Sequence, residues 1–227
     1  MPNDIIYILK DDIETEELKY SLRSVEKNFP HNRVWFVGGQ PKGLTPDIAL
    51  PHKQVGNNKW NLIKSSMFRA IEDPRLTEEF FLFNDDFFVM RPFEGTFVNF
   101  VDGTLERRID ELHSSVGLNP YTRTLYKMEQ ELKALHYPTM NYDVHLPMLL
   151  EKSKVGVVNR CSSPQMRSAY GNINRVPYIV RPDVKVYDLE SVPEDADFLS
   201  TNDKTFQDGK VGEYIREQFR TKSRFEV

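Results

Sequence analysis

The sequence predicts an α/β fold in which a mostly parallel sheet is flanked by helices. Two short β-rich runs, residues 4–10 and 33–38, enclose a segment with one apolar face. The apolar residues of that face recur at steps of four, three and four, as on a helix: Leu18, Leu22, Val25 and Phe29. Strand, helix and strand in this order predict a right-handed βαβ unit with its two strands parallel in one sheet.

The remaining elements follow from the same periodicities. A second helix is predicted at about 58–71, and the almost wholly apolar run 80–90 is typical of a buried strand. Residues 92–103 have the pattern of an irregular connection, and the apolar stripes after it predict a small helical insertion at about 104–137. Further strands are expected at 155–158, 176–180 and 184–189, followed by a helix from Lys210.

Length and composition exclude several classes of protein. With 227 residues, 39% of them hydrophobic, the chain can bury a full core and most simply forms one domain over 1–227. No apolar run reaches the roughly 18 residues of a membrane span, no secretion signal is visible, and Cys161 is the single cysteine. We therefore expect a cytoplasmic protein. The net charge of −4 argues against a broad nucleic-acid surface, and no phosphate-cradling Gly-rich loop occurs.

Two adjacent acids, Asp85 and Asp86, interrupt the apolar run FFLFNDDFFVM. Ionised carboxylates beside a core are costly unless a cation or a hydrogen-bond donor compensates them. A hard divalent cation such as Mg²⁺ or Mn²⁺ would compensate both, because such ions take oxygen ligands from one or two carboxylates. The alternative is a strand end or turn in which Asn84, Asp85 and Asp86 are solvated.

Other polar residues allow both a functional and a structural interpretation. Asp143 and His145 stand two apart, so in an extended segment they project to one side, as metal ligands or an acid/base pair must. A hydrogen-bonded loop is the alternative. Lys64 lies on the apolar stripe of the second helix and either points into a cleft or reaches to solvent. Arg167 belongs to a group of arginines that could hold phosphate or form a solvated face.

Two motifs together resemble the central region of the Stealth family. That family includes bacterial capsule sugar-phosphate transferases and the catalytic subunit of the lysosomal-enzyme N-acetylglucosamine-1-phosphotransferase. The first motif, ELKYSLRSVEK, opens the segment from Glu17 to Leu44, and the second is FFLFNDDFFV. Three further segments, DIIYILKDD, YDVHLPMLLEK and FLSTNDKTF, resemble the family's opening strand, its His-x-Pro segment and its last region. The chain is shorter than full members and lacks their Trp-Val-x-Gly opening signature.

The resemblance implies a transferase with a GT-A-like fold, a nucleotide-sugar donor, most simply a UDP-sugar, and Mn²⁺ or Mg²⁺ bound by the acidic strand end. The residues carried over by the match are Arg23, Asn84, Asp85, Asp86, His145 and Arg167. Asp86 is expected to bind the metal, Asp85 the metal or the ribose, and His145 the metal or the acceptor proton. Arg23, Lys64 and Arg167 are expected to contact the donor phosphates. Asp11 and Asp12 are candidates for the nucleoside or for a helix cap.

Two reactions fit such a site. Attack at the anomeric carbon transfers the sugar and releases a nucleoside diphosphate, whereas attack at the β-phosphorus transfers sugar phosphate and releases a monophosphate. The missing opening signature favours the first reaction. The acceptor would be a hydroxyl of a glycan, a protein or a modified nucleobase, and the oligomeric state stays open. Competing classes are a metal-dependent phosphoesterase using Asp85, Asp86, Asp143 and His145, and a non-catalytic domain that binds sugar or a partner protein.

Overall fold

A computed structural model describes residues 2–11, 16–53 and 59–227. The strands of its central sheet are β1 (Asp4–Leu9), β2 (Val34–Gly38), β3 (Ile48–Pro51), β4 (Glu79–Phe83) and β7 (Met148–Glu151). Their spatial order is β3, β2, β1, β4, β7. β1 pairs in parallel with β2 and with β4, β2 pairs in parallel with β3, and β4 pairs antiparallel with β7. The predicted α/β class with a mostly parallel sheet is therefore confirmed.

The chain reverses its direction across the sheet after β3. Helix α1 (Glu16–Asn28) carries it from β1 to β2, and β3 follows on the same side. Helix α2 (Lys59–Ile71) then brings it back past β1, so that β4 lies on the other flank of β1. At such a reversal the connections leave neighbouring strands in opposite directions and open a crevice outside the carboxyl ends of those strands.

The acidic run forms two strands and a turn, so the expectation of one strand over 80–90 is wrong. β4 ends at Phe83, and β5 (Phe87–Val89) leaves the central sheet to pair antiparallel with β9 (Phe198–Ser200). The turn between them is closed by the Phe87 amide, which donates to the Asn84 carbonyl oxygen at 3.3 Å. The turn places Asp85 and Asp86 at the carboxyl edge of the sheet, where both residues are half-buried.

The two helices predicted at 104–137 are present as α3 (Leu105–Val116) and α4 (Pro120–Ala134). Thr104 and Asn119 cap them by accepting hydrogen bonds from Arg107 and Thr122 backbone amides. Apolar side chains of α4 belong to the same buried cluster as the side chains of β1 and β4 that face it: Leu125, Met128 and Leu132. This helix therefore packs onto the core that supports the sheet.

Three later expectations are corrected. Residues 155–158 lie in a 3-10 helix, Lys152–Arg160, and residues 184–189 make one isolated bridge, between Lys185 and Ser200. The connection at 92–103 contains β6 (Asn99–Val101), which pairs in parallel with β8 (Tyr178–Val180). In the second and third cases the pairing partner is distant in sequence, so local periodicity did not specify it.

The remaining elements complete the carboxyl-terminal third of the chain. They are α5 (Met166–Ile173), α6 (Asp203–Asp208) and α7 (Lys210–Gln218). The helix expected from Lys210 is thus confirmed, and its apolar side chains pack against β5 and β9. Within the described ranges, no helix is both long enough and apolar enough to span a membrane.

Candidate active site

A cavity of about 310 Å³ lies at the sheet edge where β1 and β4 end. Apolar side chains of β1, α2, β4 and α5 form part of its wall. The polar side chains in the wall are Lys10, Asn84, Asp85, Tyr121, Asp143, His145, Gln165 and Arg167. A concave, partly apolar wall with convergent polar groups at the reversal point of an α/β sheet is typical of a ligand site. Of the residues predicted from sequence, Asp85, Asp143, His145 and Arg167 meet here.

Asp85 occupies the turn after β4 and faces the cavity. Burial, and then the neighbouring charge of Asp86, raise the pKa of Asp85 to about 6, while the ammonium of Lys10 opposes the shift. A carboxylate in this environment lacks full compensation by the chain itself. It is therefore suited to bind a cation.

Asp86 is not among the residues that line the cavity. Its Oδ2 accepts a hydrogen bond from Lys185 Nζ at 2.8 Å, and each of the two side chains is 14% exposed. Its Oδ1 is buried and has no hydrogen-bond partner among the described residues. Burial opposes the charge of Lys185, but the hydrogen bond and charge of Asp86 outweigh it and raise the pKa of Lys185 above its ordinary value.

Glu17 is a third acid near the turn, in the first turn of α1. Its side chain accepts a hydrogen bond from the Thr201 hydroxyl. Burial raises the pKa of Glu17 to about 7, with the charges of Asp86 and Asp85 adding to the effect. Glu17, Asp85 and Asp86 thus form an acidic group at the carboxyl edge of β1 and β4.

His145 faces the cavity with one ring nitrogen already engaged. Its Nδ1 lies 2.6 Å from Asp183 Oδ2, and its backbone amide donates to Asp183 Oδ1 at 3.0 Å. Burial alone would raise the pKa of Asp183, but the hydrogen bonds and the charge of His145 hold it below its usual range. The carboxylate fixes the ring orientation and leaves Nε2 as the nitrogen that can take a proton from a substrate.

Arg167 lines the cavity and joins two segments of its wall by hydrogen bonds. Its Nη1 donates to the Leu146 carbonyl oxygen at 2.5 Å, and its Nη2 donates to Asn84 Oδ1 at 3.0 Å. Burial lowers the pKa of Arg167 to about 10. The guanidinium therefore ties the end of β4 to the segment that carries His145, and the predicted phosphate contact of Arg167 stays a prediction.

Asp143 and Tyr121 complete the wall on the side of α4 and α5. Asp143 accepts hydrogen bonds from the Ser168 backbone amide and hydroxyl, and burial raises its pKa. Tyr121 is in the first turn of α4, and burial followed by the charge of Asp143 raises the pKa of its hydroxyl. Asp143 is anchored to α5 and thereby positions the adjacent residues 144 and 145.

Arg23 does not line this cavity, and its predicted contact with the donor phosphate stays a prediction. Its Nε and Nη2 donate to the two carboxylate oxygens of Glu226 at 2.6 and 2.7 Å, and Nη1 donates to the Phe219 carbonyl oxygen. The side chain is 6% exposed and stacks over the ring of Tyr20. A fully engaged, bidentate arginine of this kind joins α1 to the end of the chain.

Lys64 and Asp11 are also absent from the cavity wall. Lys64 is half-buried on α2, where its charge acts on the buried thiol of Cys161. Asp11 is exposed after β1, and its neighbour Lys10 reaches the cavity instead. Asp12 lies outside the described residues. The predicted donor contacts of Lys64 and Asp11 are therefore not brought together with Asp85.

The turn fits a hard divalent cation, although it is not a ready-made metal centre. Among the described residues, no three Asp, Glu, His or Cys side chains are grouped as a ligand set. Asp85 nevertheless faces the cavity, and Asp86 Oδ1 is a buried oxygen without a donor. Mg²⁺ and Mn²⁺ commonly take one or two carboxylates and complete their shell with water and substrate phosphates.

Sequence reasoning missed three residues of this region: Glu17, Asp183 and Lys185. Glu17 opens a quoted motif, but its helical position gave no sign that it faces the acidic turn. Asp183 and Lys185 alternate with Val184 and Val186, which signals an extended segment with one polar and one apolar face. That alternation could have identified both residues as neighbours on the polar face.

Comparisons with known proteins give one informative likeness. The chain matches no protein-family model. It is similar to a capsular polysaccharide phosphotransferase from Neisseria meningitidis serogroup B, with 30% identity over 148 residues. The alignment covers 57% of this chain and 39% of that protein, so the chain spans about two fifths of the relative's length. A distant likeness to a capsule phosphotransferase agrees in kind with the resemblance of the sequence motifs.

Proposed function

We propose that this chain is a transferase that moves a sugar phosphate from a nucleotide-sugar donor to an acceptor hydroxyl. The observation that carries the proposal is the placement of Asp85 and His145 on one cavity at the reversal point of the sheet, with the His145 ring held from behind by Asp183. The likeness to a capsular polysaccharide phosphotransferase supports the same reaction class. It favours phosphotransfer over the simple glycosyl transfer that the missing opening signature suggests.

Asp85 and Asp86 would hold Mg²⁺ or Mn²⁺ in this proposal. A cation held there would supply positive charge against the negative charge of the donor diphosphate. Lys10 adds a fixed positive charge at the same wall, because it borders the cavity and acts on Asp85.

His145 would act as the general base. The acceptor oxygen attacks the β-phosphorus, the bond between that phosphorus and the bridging oxygen breaks, and nucleoside monophosphate leaves. The hydroxyl proton passes to His145 Nε2, while Asp183 holds the Nδ1 proton and stabilises the imidazolium that forms. Arg167 and Asn84 keep the end of β4 and the His145 segment at a fixed separation.

The test is to incubate the protein with a panel of nucleotide sugars and Mg²⁺, which unlike paramagnetic Mn²⁺ does not broaden phosphorus signals, and to follow the products by phosphorus NMR. The proposal predicts release of nucleoside monophosphate, at a slow rate when water is the acceptor, and loss of release in Asp85→Asn. Nucleoside diphosphate would instead establish glycosyl transfer. Cleavage of simple phosphoesters without any nucleotide sugar would indicate a phosphoesterase. Donor binding without turnover, unaffected by Asp86→Ala, would support a non-catalytic domain.

A further inference from the structure

The ion pair between Lys185 and Asp86 places a cation of the protein on one of the two acids of the turn. Lys185 Nζ lies 2.8 Å from Asp86 Oδ2, and both side chains are largely buried. The second carboxylate oxygen of Asp86 is buried and receives no donor from the described residues. Lys185 thus neutralises Asp86 but leaves its coordination incomplete.

The backbone directs Lys185 to this position. Val184 and Val186 pack into two buried clusters, so the intervening side chain must project to the opposite face. Both valines are fixed to Ser200, because the Val186 amide donates to the Ser200 carbonyl oxygen and the Ser200 amide donates to the Val184 carbonyl oxygen. Ser200 in turn pairs with Phe87, the residue that follows Asp86.

A divalent cation and the Lys185 ammonium cannot both bind Asp86 without strong repulsion. They carry like charges, and the site is shielded from water, so the repulsion is weakly screened. A lysine has a flexible stem and can move its ammonium to another acceptor within reach. A donor diphosphate beside the turn would provide such an acceptor.

We propose that Lys185 is a built-in competitor of the metal: it holds Asp86 in the empty site and yields Asp86 when a divalent cation arrives together with a nucleotide diphosphate. The inference rests on the proposed function. Its consequence is that free metal binds weakly and that nucleotide strengthens metal binding, because the phosphates give Lys185 a new partner. By thermodynamic linkage, metal strengthens nucleotide binding by the same factor.

The test measures Mn²⁺ binding by electron paramagnetic resonance, with and without UDP, in the wild type and in Lys185→Met. In the absence of UDP, we expect Lys185→Met to bind Mn²⁺ about tenfold more tightly than the wild type, which is within the usual range of coupling between two sites. The variant should also lose most of the further increase in Mn²⁺ affinity that UDP gives the wild type. Lys210→Met is the matched control. Lys210 pairs with Glu190 at 2.5 Å on the exposed surface, so its removal should leave Mn²⁺ affinity unchanged.

Two further variants keep the inference falsifiable. Lys185→Arg retains the positive charge and should bind Mn²⁺ like the wild type. If circular dichroism shows that Lys185→Met does not fold, Lys185→Gln takes its place. Equal or weaker Mn²⁺ affinity after removal of the charge would overturn the inference and reduce Lys185 to a structural ion pair. Mn²⁺ binding by none of the variants would overturn it as well. Nucleotide release in the NMR assay reports on the proposed function independently of either result.

Discussion

The acids at the two ends of the central sheet differ in how completely their carboxylate oxygens are hydrogen-bonded. At the amino end of β1, the fully buried Asp4 accepts hydrogen bonds from Asn32, Arg33, the Trp35 ring nitrogen and the Thr77 amide, at 2.8 to 3.2 Å. At the carboxyl end of β4, Asp85 has a raised pKa, and Asp86 has one oxygen that receives no donor from the described residues. The amino end therefore supplies the donors that burial requires, whereas the cavity end supplies them only in part.

This difference separates a structural carboxylate from a candidate functional one. Asp4 joins three segments of the chain and leaves no oxygen for a ligand. The acids at the other end retain capacity for a cation, at a cost in folding free energy that a bound ligand would offset. Incomplete compensation of buried charge is therefore the feature that distinguishes the cavity end from the rest of the sheet.

The largest expected effect is on stability, at the saturated end. Asp4→Ala removes the common acceptor of Arg33, Trp35 and Thr77 and leaves their donors buried or unpaired. We expect a loss of about 3–5 kcal/mol in the free energy of unfolding. Chemical denaturation measures it, and turnover per folded molecule should stay unchanged. A loss below about 1 kcal/mol would remove the contrast between the two ends.

At the cavity end, Asp86→Asn should have the opposite pattern and affect turnover more than stability. Asparagine retains an acceptor for Lys185 but removes the negative charge, so the fold should persist while donor turnover falls about 10²–10³-fold. Phosphorus NMR gives the rate, and circular dichroism gives the melting temperature. Full activity in this variant would refute the assignment of the acidic turn.

His145→Gln should have a smaller effect, about 10²-fold on turnover. Base catalysis contributes less to phosphoryl transfer than charge stabilisation, because the transition state is loose and the nucleophile needs little activation.

Asp183→Asn should reduce turnover by more than a substitution on the exposed surface does. It should also displace the pH profile of turnover, because the His145 ring loses the carboxylate that holds it. An unchanged pH profile in Asp183→Asn would assign Asp183 a purely structural role.

The smallest expected effect is a decline of stability with rising pH. The pKa values of Glu17 and Asp85 are raised to about 7 and about 6, so between pH 4 and pH 7 the folded state holds more protons than the unfolded state. Stability then falls as pH rises through this window. Melting temperatures from pH 5 to pH 8 measure the decline, and Glu17→Gln should flatten it. A rise over the same range would contradict the raised pKa values.

The parts of the fold that sequence reasoning predicted are those with local signals. The βαβ unit and helices α2, α3, α4 and α7 show clear apolar periodicity over a turn or more. Strand β9 and the bridge at Lys185 depend on pairing with distant residues, so their sequences carry a weak signal. The sequence singled out Asp85 and Asp86 as an acidic interruption of an apolar run. The position of their turn between two sheets follows from the pairing of β5 with β9.

Only some residues of the candidate site stood out in the sequence. Asp85 and His145 stood out because polar groups in an apolar or turn-like context are conspicuous. The ion-pair partner of Arg23 was not predicted, because an arginine among the apolar residues of α1 requires a negative partner but does not specify it. Its partner is Glu226, 203 positions later, and no local pattern connects the two. Glu17 escaped notice because acids in the first turn of a helix have an ordinary explanation.

The central claim is that the carboxyl end of β1 and β4 is the donor site. A crystal structure of the protein with Mn²⁺ and UDP, with anomalous diffraction recorded for manganese, tests this most directly. We expect a manganese peak in contact with Asp85 or Asp86 and a diphosphate in the cavity beside Lys10. A nucleotide bound instead in the separate pocket that Arg23, Lys27 and Lys222 line would show that the donor site lies elsewhere.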